Sequence, residues 1–131
     1  MRQLTSTLSL ALLLLAGAAA WADHAGISTS HRDAMQTVMA KHIQHLIKSN
    51  GNGRYPIFDP ASRSLVQLEF KELHDSVEVV GRETVYFVSC ADFVAPDGTP
   101  YDLDFFISEN YQVVAAVVHA KNGAKSKYDI H

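Results

Sequence analysis

After Gly53 the sequence is punctuated every few residues by turn signals, and the stretches between them alternate apolar and polar side chains. Val66, Leu68 and Phe70 alternate with Gln67, Glu69 and Lys71, the period-two pattern of a half-buried strand. Val77–Val80 and Thr84–Phe93 follow, one on each side of Gly81-Arg82. Pro96-Asp97-Gly98, Glu109-Asn110 and Asn122-Gly123 supply the later turns, the last being a strong two-residue hairpin signal. Tyr55–Phe58 is short and contains Pro56, so it is at best an edge strand. A chain punctuated in this way is expected to fold as an antiparallel meander of about four to six strands.

One helix is expected before the meander. Met35, Val38, Met39, His42 and Leu46 recur at helical spacing, and Ile43 and Ile47 widen the stripe. Ser30 is a candidate N-cap, with Asp33 three residues on. Asn50-Gly51-Asn52-Gly53 is the stop, because these residues accept left-handed backbone angles. The helix is placed at about 30–49. The expected fold class is α+β, with the helix covering one face of a curling sheet.

The N-terminus carries an address. A basic start, Met1-Arg2-Gln3, precedes the apolar run Leu8–Ala20, and Ala20-Trp21-Ala22 offers small residues where a signal peptidase reads. Residues 1–22 are therefore expected to be a secretory signal cut after Ala22. The run is too short to span a bilayer comfortably, since a spanning helix needs about 20 residues. A lipid anchor would need a cysteine at the cut, and the single cysteine is Cys90. Residues 23–29 are expected to be a loose leader, and residues 30–131 a single domain in the periplasm or outside the cell. One cysteine makes no internal disulfide, so packing alone must hold the fold. The net charge of −3 argues against binding nucleic-acid phosphates, which needs clustered Lys and Arg.

A three-residue loop at Pro96-Asp97-Gly98, with Gly98 left-handed, sets a register. Asp92 then faces Asp102, and Cys90 faces Asp104. Phe87, Ala91, Phe93, Tyr101, Leu103, Phe105 and Ile107 fall on the side toward the helix. Two-residue turns at Glu109-Asn110 and Asn122-Gly123 would set Asp102 beside Val117, Asp104 beside Ala115, Val117 opposite Tyr128 and His119 opposite Ser126. The face away from the helix then carries Cys90, Asp92, Asp102, Asp104 and His119, together with Tyr86, Val88, Phe106, Val113, Val117, Tyr128 and Ile130. Two opposed aspartates repel. Three remedies are open: solvation, a salt bridge from Lys71 across to Asp92, or a bound cation.

Chemistry was sought in the histidines and the cysteine. Seven histidines are many for this length. His42 lies in the apolar stripe and is expected in the core, while His45 is expected at the surface. His74 and His119 reach the aspartates only if the sheet bends. Cys90 sits mid-strand near a carboxylate, which quietens a thiol, so no nucleophile is expected and the protein reads as no enzyme. No phosphate loop, dinucleotide fingerprint or Gly-x-Ser-x-Gly is present.

Two function classes follow. The first is an exported binding or accessory module that meets a protein, a small ligand or a second copy of itself. It would use the outer face formed by Tyr86, Val88, Phe106, Val113, Val117, Tyr128 and Ile130. The second is a metal-handling envelope protein using Asp92, Asp102, Asp104 and His119 for a divalent metal. The segments HD at 74–75, YFVSCADF at 86–93, YDLDFF at 101–106 and VHAKNG at 118–123 resemble small uncharacterised exported bacterial proteins. The expected shape is similar to cystatin-like and PepSY-like domains. That likeness implies protease inhibition as a third, lower reading, but the Gln-x-Val-x-Gly hairpin of cystatins is absent.

Overall fold

A computed structural model describes residues 27–128 of the chain. The signal segment 1–22, most of the leader and Ile130 lie outside the described residues. Helix α1 spans Thr29–Ser49, and six strands follow: β1 Tyr55–Asp59, β2 Ser64–Val80, β3 Tyr86–Val94, β4 Pro100–Ser108, β5 Val113–Lys121 and β6 Ala124–Lys125. They form one antiparallel sheet in the order β1-β2-β3-β4-β5-β6, as the α+β reading requires. Among the described residues no helix is long and apolar enough to cross a membrane.

The helix begins two residues earlier than its sequence signals suggest. Ser28, not Ser30, is the N-cap, and its side chain accepts from the His31 backbone N–H at 3.1 Å. Met35, Met39 and Ile43, at four-residue spacing, are fully buried under the helix. They meet Tyr55, Ile57, Leu68, Ala91, Phe93, Tyr101, Leu103, Phe105, Ile107 and Val118 from five strands in one core. His42 packs into this layer as expected. Its Nε2 lies 3.0 Å from Tyr55 Oη, and its ring meets the Phe105 ring edge-on at 6.0 Å. Burial, then the nearby His45, lowers the His42 pKa, so the ring is held neutral. His45 is exposed.

The sheet curls until β1 approaches β5, and Asp59 fastens the two. Its buried carboxylate accepts from Lys121 Nζ at 2.8 Å, Tyr101 Oη at 2.9 Å, the Ala61 N–H at 2.9 Å and Ser62 Oγ at 3.0 Å. Burial acts to raise the Asp59 pKa, but these four donors overcome it and hold the carboxyl at about 2.

The β3–β4 hairpin has the expected register. Gly98 sits at φ +87°, Asp92 faces Asp102 and Cys90 faces Asp104. The β5–β6 turn also behaves as its Asn-Gly signal requires, with both Asn122 and Gly123 at positive φ. The Ser126 N–H donates to the His119 carbonyl, which preserves that pairing although β6 ends at Lys125. The expected long last strand over Lys125–Ile130 is therefore a two-residue strand among the described residues.

Two expectations fail, both through added residues. The β4–β5 connection is a three-residue loop, Glu109-Asn110-Tyr111, with Tyr111 at φ +60° and Ser108 paired to Gln112. Together with two bulges in β5, this loop sets Asp102 beside Ala120 and Asp104 beside Val117. Further along, His119 and Val114 are each an extra residue in β5, so the pairing slips twice. The longer loop, not the bulges, sets Val113 on the core side, opposite Ile107. Val113 is therefore not part of the outer face. The second failure concerns residues 66–80, which form one long strand, where a break was expected at His74-Asp75. The lost alternation marks irregularities between Phe70 and Glu72 and between Leu73 and Val77.

Candidate functional site

The irregularity at Leu73–Val77 is held by two long-range hydrogen bonds. Gln36 Nε2 on the helix donates to the His74 carbonyl at 2.7 Å. Ser89, fully buried in β3, donates its hydroxyl to the Ser76 carbonyl at 2.8 Å. Pinned this way, the bulged strand aims His74 onto the outer face, where its Nε2 lies 2.9 Å from Asp92 Oδ1. Burial alone would lower the His74 pKa. The Asp92 carboxylate, with Asp102 and Glu72, more than offsets it and raises the value. Lys71 takes no part: it pairs at the surface with Glu69, at 3.3 Å. A histidine, not the expected lysine, answers the charge on Asp92.

The second histidine arrives by the same device. His119, the extra residue of the β5 bulge, sets its Nδ1 2.9 Å from Asp104 Oδ2. Asp104 is only 1% exposed and accepts three hydrogen bonds. Cys90 Sγ donates to Oδ1 at 2.8 Å, and Tyr128 Oη and His119 approach Oδ2. Burial, then the bond to Asp104, raises the pKa of both the Cys90 thiol and the Tyr128 phenol far above their ordinary values. Both stay protonated and act as donors. The thiol points at a carboxylate and not at an imidazole, which is the wrong arrangement for a cysteine nucleophile. Native Cys90 is therefore expected to react with an aromatic disulfide reagent at pH 8 at least about a hundredfold more slowly than in the urea-unfolded chain. Equal rates in the two states would show a free thiolate and overturn this picture.

Asp102 is the exception in the cluster. Its Oδ1 is sealed from solvent and has no hydrogen-bond partner among the described residues. Burial raises the Asp102 pKa. The repulsion of Asp104 and Asp92 adds to this and His74 and His119 oppose it. Ligand atoms of His74, Cys90 and Asp102 lie within 4.8 Å of one another. Beside them is a hollow of about 260 Å³ lined by Ser76, Glu78, Val88, Cys90, Asp104, His119 and Lys125.

The expected apolar patch is mostly the wall of this hollow and its surroundings. Val88 is 3% exposed, and Tyr86, Phe106, Val117 and Tyr128 are half-buried. Tyr86 and Phe106 pack edge-on at 6.5 Å. The residues that do project are elsewhere: Phe58 and Leu65 face each other near the tip of the β1–β2 hairpin, and Val114 stands out of its bulge. A larger hollow of about 550 Å³ lies between the end of β1 and the residues after β5. Among the described residues its one carboxylate, Asp59, is saturated by the four donors described above.

Of the residues expected to form a metal site, the structure brings Asp92, Asp102, Asp104 and His119 onto one face. It also shows three of them already partnered. Cys90, which the expected register already set opposite Asp104, and His74, which the sequence did not place on this face, complete the group around Asp102. The signal for His74 was present in the sequence, as the break in alternation at residues 74–75, but a break does not say which way a side chain turns. No family model, curated protein or solved structure matches the chain.

Proposed function

We propose that this protein is an exported binding module that captures a small cationic ligand in the hollow on the outer face of its sheet. The observation that carries the reading is the buried, unpartnered Asp102 oxygen inside a ring of carboxylates. A fold does not leave a charged acceptor dry and unpaired without cost, and a bound cation removes that cost. Glu78 and Asp104 line the hollow and Asp102, with Asp92 opposite it, stands beside it, while Lys125 is the permanent positive charge among the lining residues. Size also supports a small guest, since the hollow holds far less than a peptide. The burial of Val88 takes the centre of the expected docking patch away from the surface, which favours a small guest over a protein partner.

The test is native mass spectrometry of the untagged protein recovered from the cell envelope and the medium. The expected spectrum has the mass of a chain beginning at Asp23 and a one-to-one adduct. Glu78→Lys, at an exposed position on the rim, is expected to keep the fold and lose the adduct. A full-length cytosolic chain would remove the export part of the reading. A ligand-free spectrum, or an adduct indifferent to Glu78→Lys, would remove the binding part.

A further inference from the structure

We infer that His74, Cys90 and Asp102 form a binding site for one thiophilic divalent ion of the zinc class. The inference deepens the cation-binding reading and rests on it. Three observations converge. An imidazole, a sulfur and a carboxylate from three different strands present ligand atoms within 4.8 Å of one another. In a tetrahedral zinc site such atoms stand about 3.5 Å apart, so closing the site asks for side-chain rotation and no shift of the backbone. One of the three, Asp102, keeps a sealed oxygen with no partner among the described residues, so a ligand is already desolvated and unspent. The surrounding polar groups supply what metal ligands need behind them. Asp92, 2.9 Å from His74 Nε2, orients the ring, as carboxylates beside ligating histidines do.

The donor set selects the ion. A thiolate with an imidazole suits zinc, cobalt or copper(I), while calcium and magnesium require oxygen ligands throughout. Binding breaks the Cys90 S–H bond, and the proton leaves to solvent as Sγ takes the metal. Sγ then gives up its hydrogen bond to Asp104 Oδ1. Asp104 keeps its bonds to His119 and Tyr128 and stays buried and partnered. Three protein ligands leave a fourth position for water or for a group delivered by a partner, which fits capture and hand-over better than a closed structural site.

The experiment uses the untagged protein, stripped with chelator and titrated with cobalt(II) and then zinc. One equivalent of cobalt is expected to produce a thiolate-to-metal charge-transfer absorption that zinc abolishes by displacement, while calcium has no effect. Cys90→Ser is expected to lose that absorption, and His74→Ala to weaken zinc binding by at least about tenfold. Asp102→Asn is expected to weaken zinc binding similarly yet raise the melting temperature of the metal-free protein, because it removes the charge from a half-buried carboxylate whose Oδ1 is sealed and unpartnered among the described residues. His45→Ala, on the exposed face of α1, is expected to bind as the unmodified protein does. Cobalt binding without the thiolate absorption, or zinc binding unchanged in the His74 and Asp102 variants, would overturn the inference. The wild-type cobalt spectrum decides the matter even if Cys90→Ser fails to fold. An organic cation in the native mass spectrum with no zinc binding sinks the metal site and leaves the cation hollow standing. Neither adduct nor metal sinks both.

Discussion

Asp59→Ala is expected to destabilise the fold by about 2–4 kcal/mol, because it leaves Tyr101, Ser62 and the Ala61 N–H without the acceptor they share, while partly exposed Lys121 can turn to solvent. Asp59 is 1% exposed and receives Lys121, Tyr101, Ser62 and the Ala61 N–H. Alanine removes the one group that satisfies all four. It also releases the end of β1 from β4 and β5, where the curl of the sheet depends on side chains and not on a backbone ladder. For a domain of this size the loss corresponds to a fall in melting temperature of more than about 10 °C. Asp59→Asn keeps the shape and one acceptor oxygen, so its loss should be smaller. It also isolates the pH dependence. The folded pKa of about 2 lies below the ordinary 3.8. A depressed carboxylate contributes stability that is present above its unfolded pKa and is lost as pH falls through the folded value. Between pH 4 and pH 2 the unmodified protein should therefore lose just under about 2 kcal/mol relative to Asp59→Asn. Urea unfolding of both proteins across that window measures the difference. Parallel pH profiles would show that Asp59 is not held down by its partners.

Phe105→Ala is expected to cost a comparable 3–5 kcal/mol, through a cavity and lost apolar burial. Phe105 is fully buried in β4, with ring centroids 5.8 Å from Tyr55, 6.0 Å from His42 and 6.2 Å from Phe93. It is the point where helix, edge strand and central strands meet, and none of these neighbours has room to collapse onto an alanine. Its neighbour in the chain, Asp104, faces the other way into the polar cluster, so loss of packing beneath β4 should also loosen the donors to Asp104. Phe58→Ala is the control: Phe58 is 56% exposed and should cost no more than about 0.5 kcal/mol. Urea denaturation at pH 7 reads both. Similar midpoints for the two variants would mean that the core is not organised around Phe105.

The polar cluster connects these two effects to function. Asp104 is fully satisfied and buried, Asp92 is answered by His74, and Asp102 alone is left with an unpaired oxygen. Three donors go to one carboxylate and, among the described residues, none to the sealed oxygen of its neighbour, an imbalance that the proposed cation would offset. That asymmetry distinguishes the site from a wet hairpin whose charges are merely solvated.

Local sequence rules determined a large part of this protein. The helical stripe, the period-two alternation and the Pro-Asp-Gly and Asn-Gly turns carried the helix, the meander and the β3–β4 register, including Asp92 opposite Asp102 and Cys90 opposite Asp104. These are short-range effects: backbone preferences at a few residues, and side-chain directions that repeat with the pleat. The tertiary structure alone decided the rest. Whether residues 66–80 make two strands or one bulged strand depends on Gln36 and Ser89, 38 and 13 residues away from the carbonyls they bond. Whether Glu109-Asn110 closes a two- or a three-residue loop decides which β5 residues stand beside the aspartates. Bulges add single residues, and one residue turns a side chain to the other face of the sheet. His74 and His119 enter the site on two such irregularities, and Val113 leaves the face because the β4–β5 loop holds one residue more. Periodicity reports the average direction of a strand, while the site is built where that average breaks, and only long-range hydrogen bonds and packing say how it breaks.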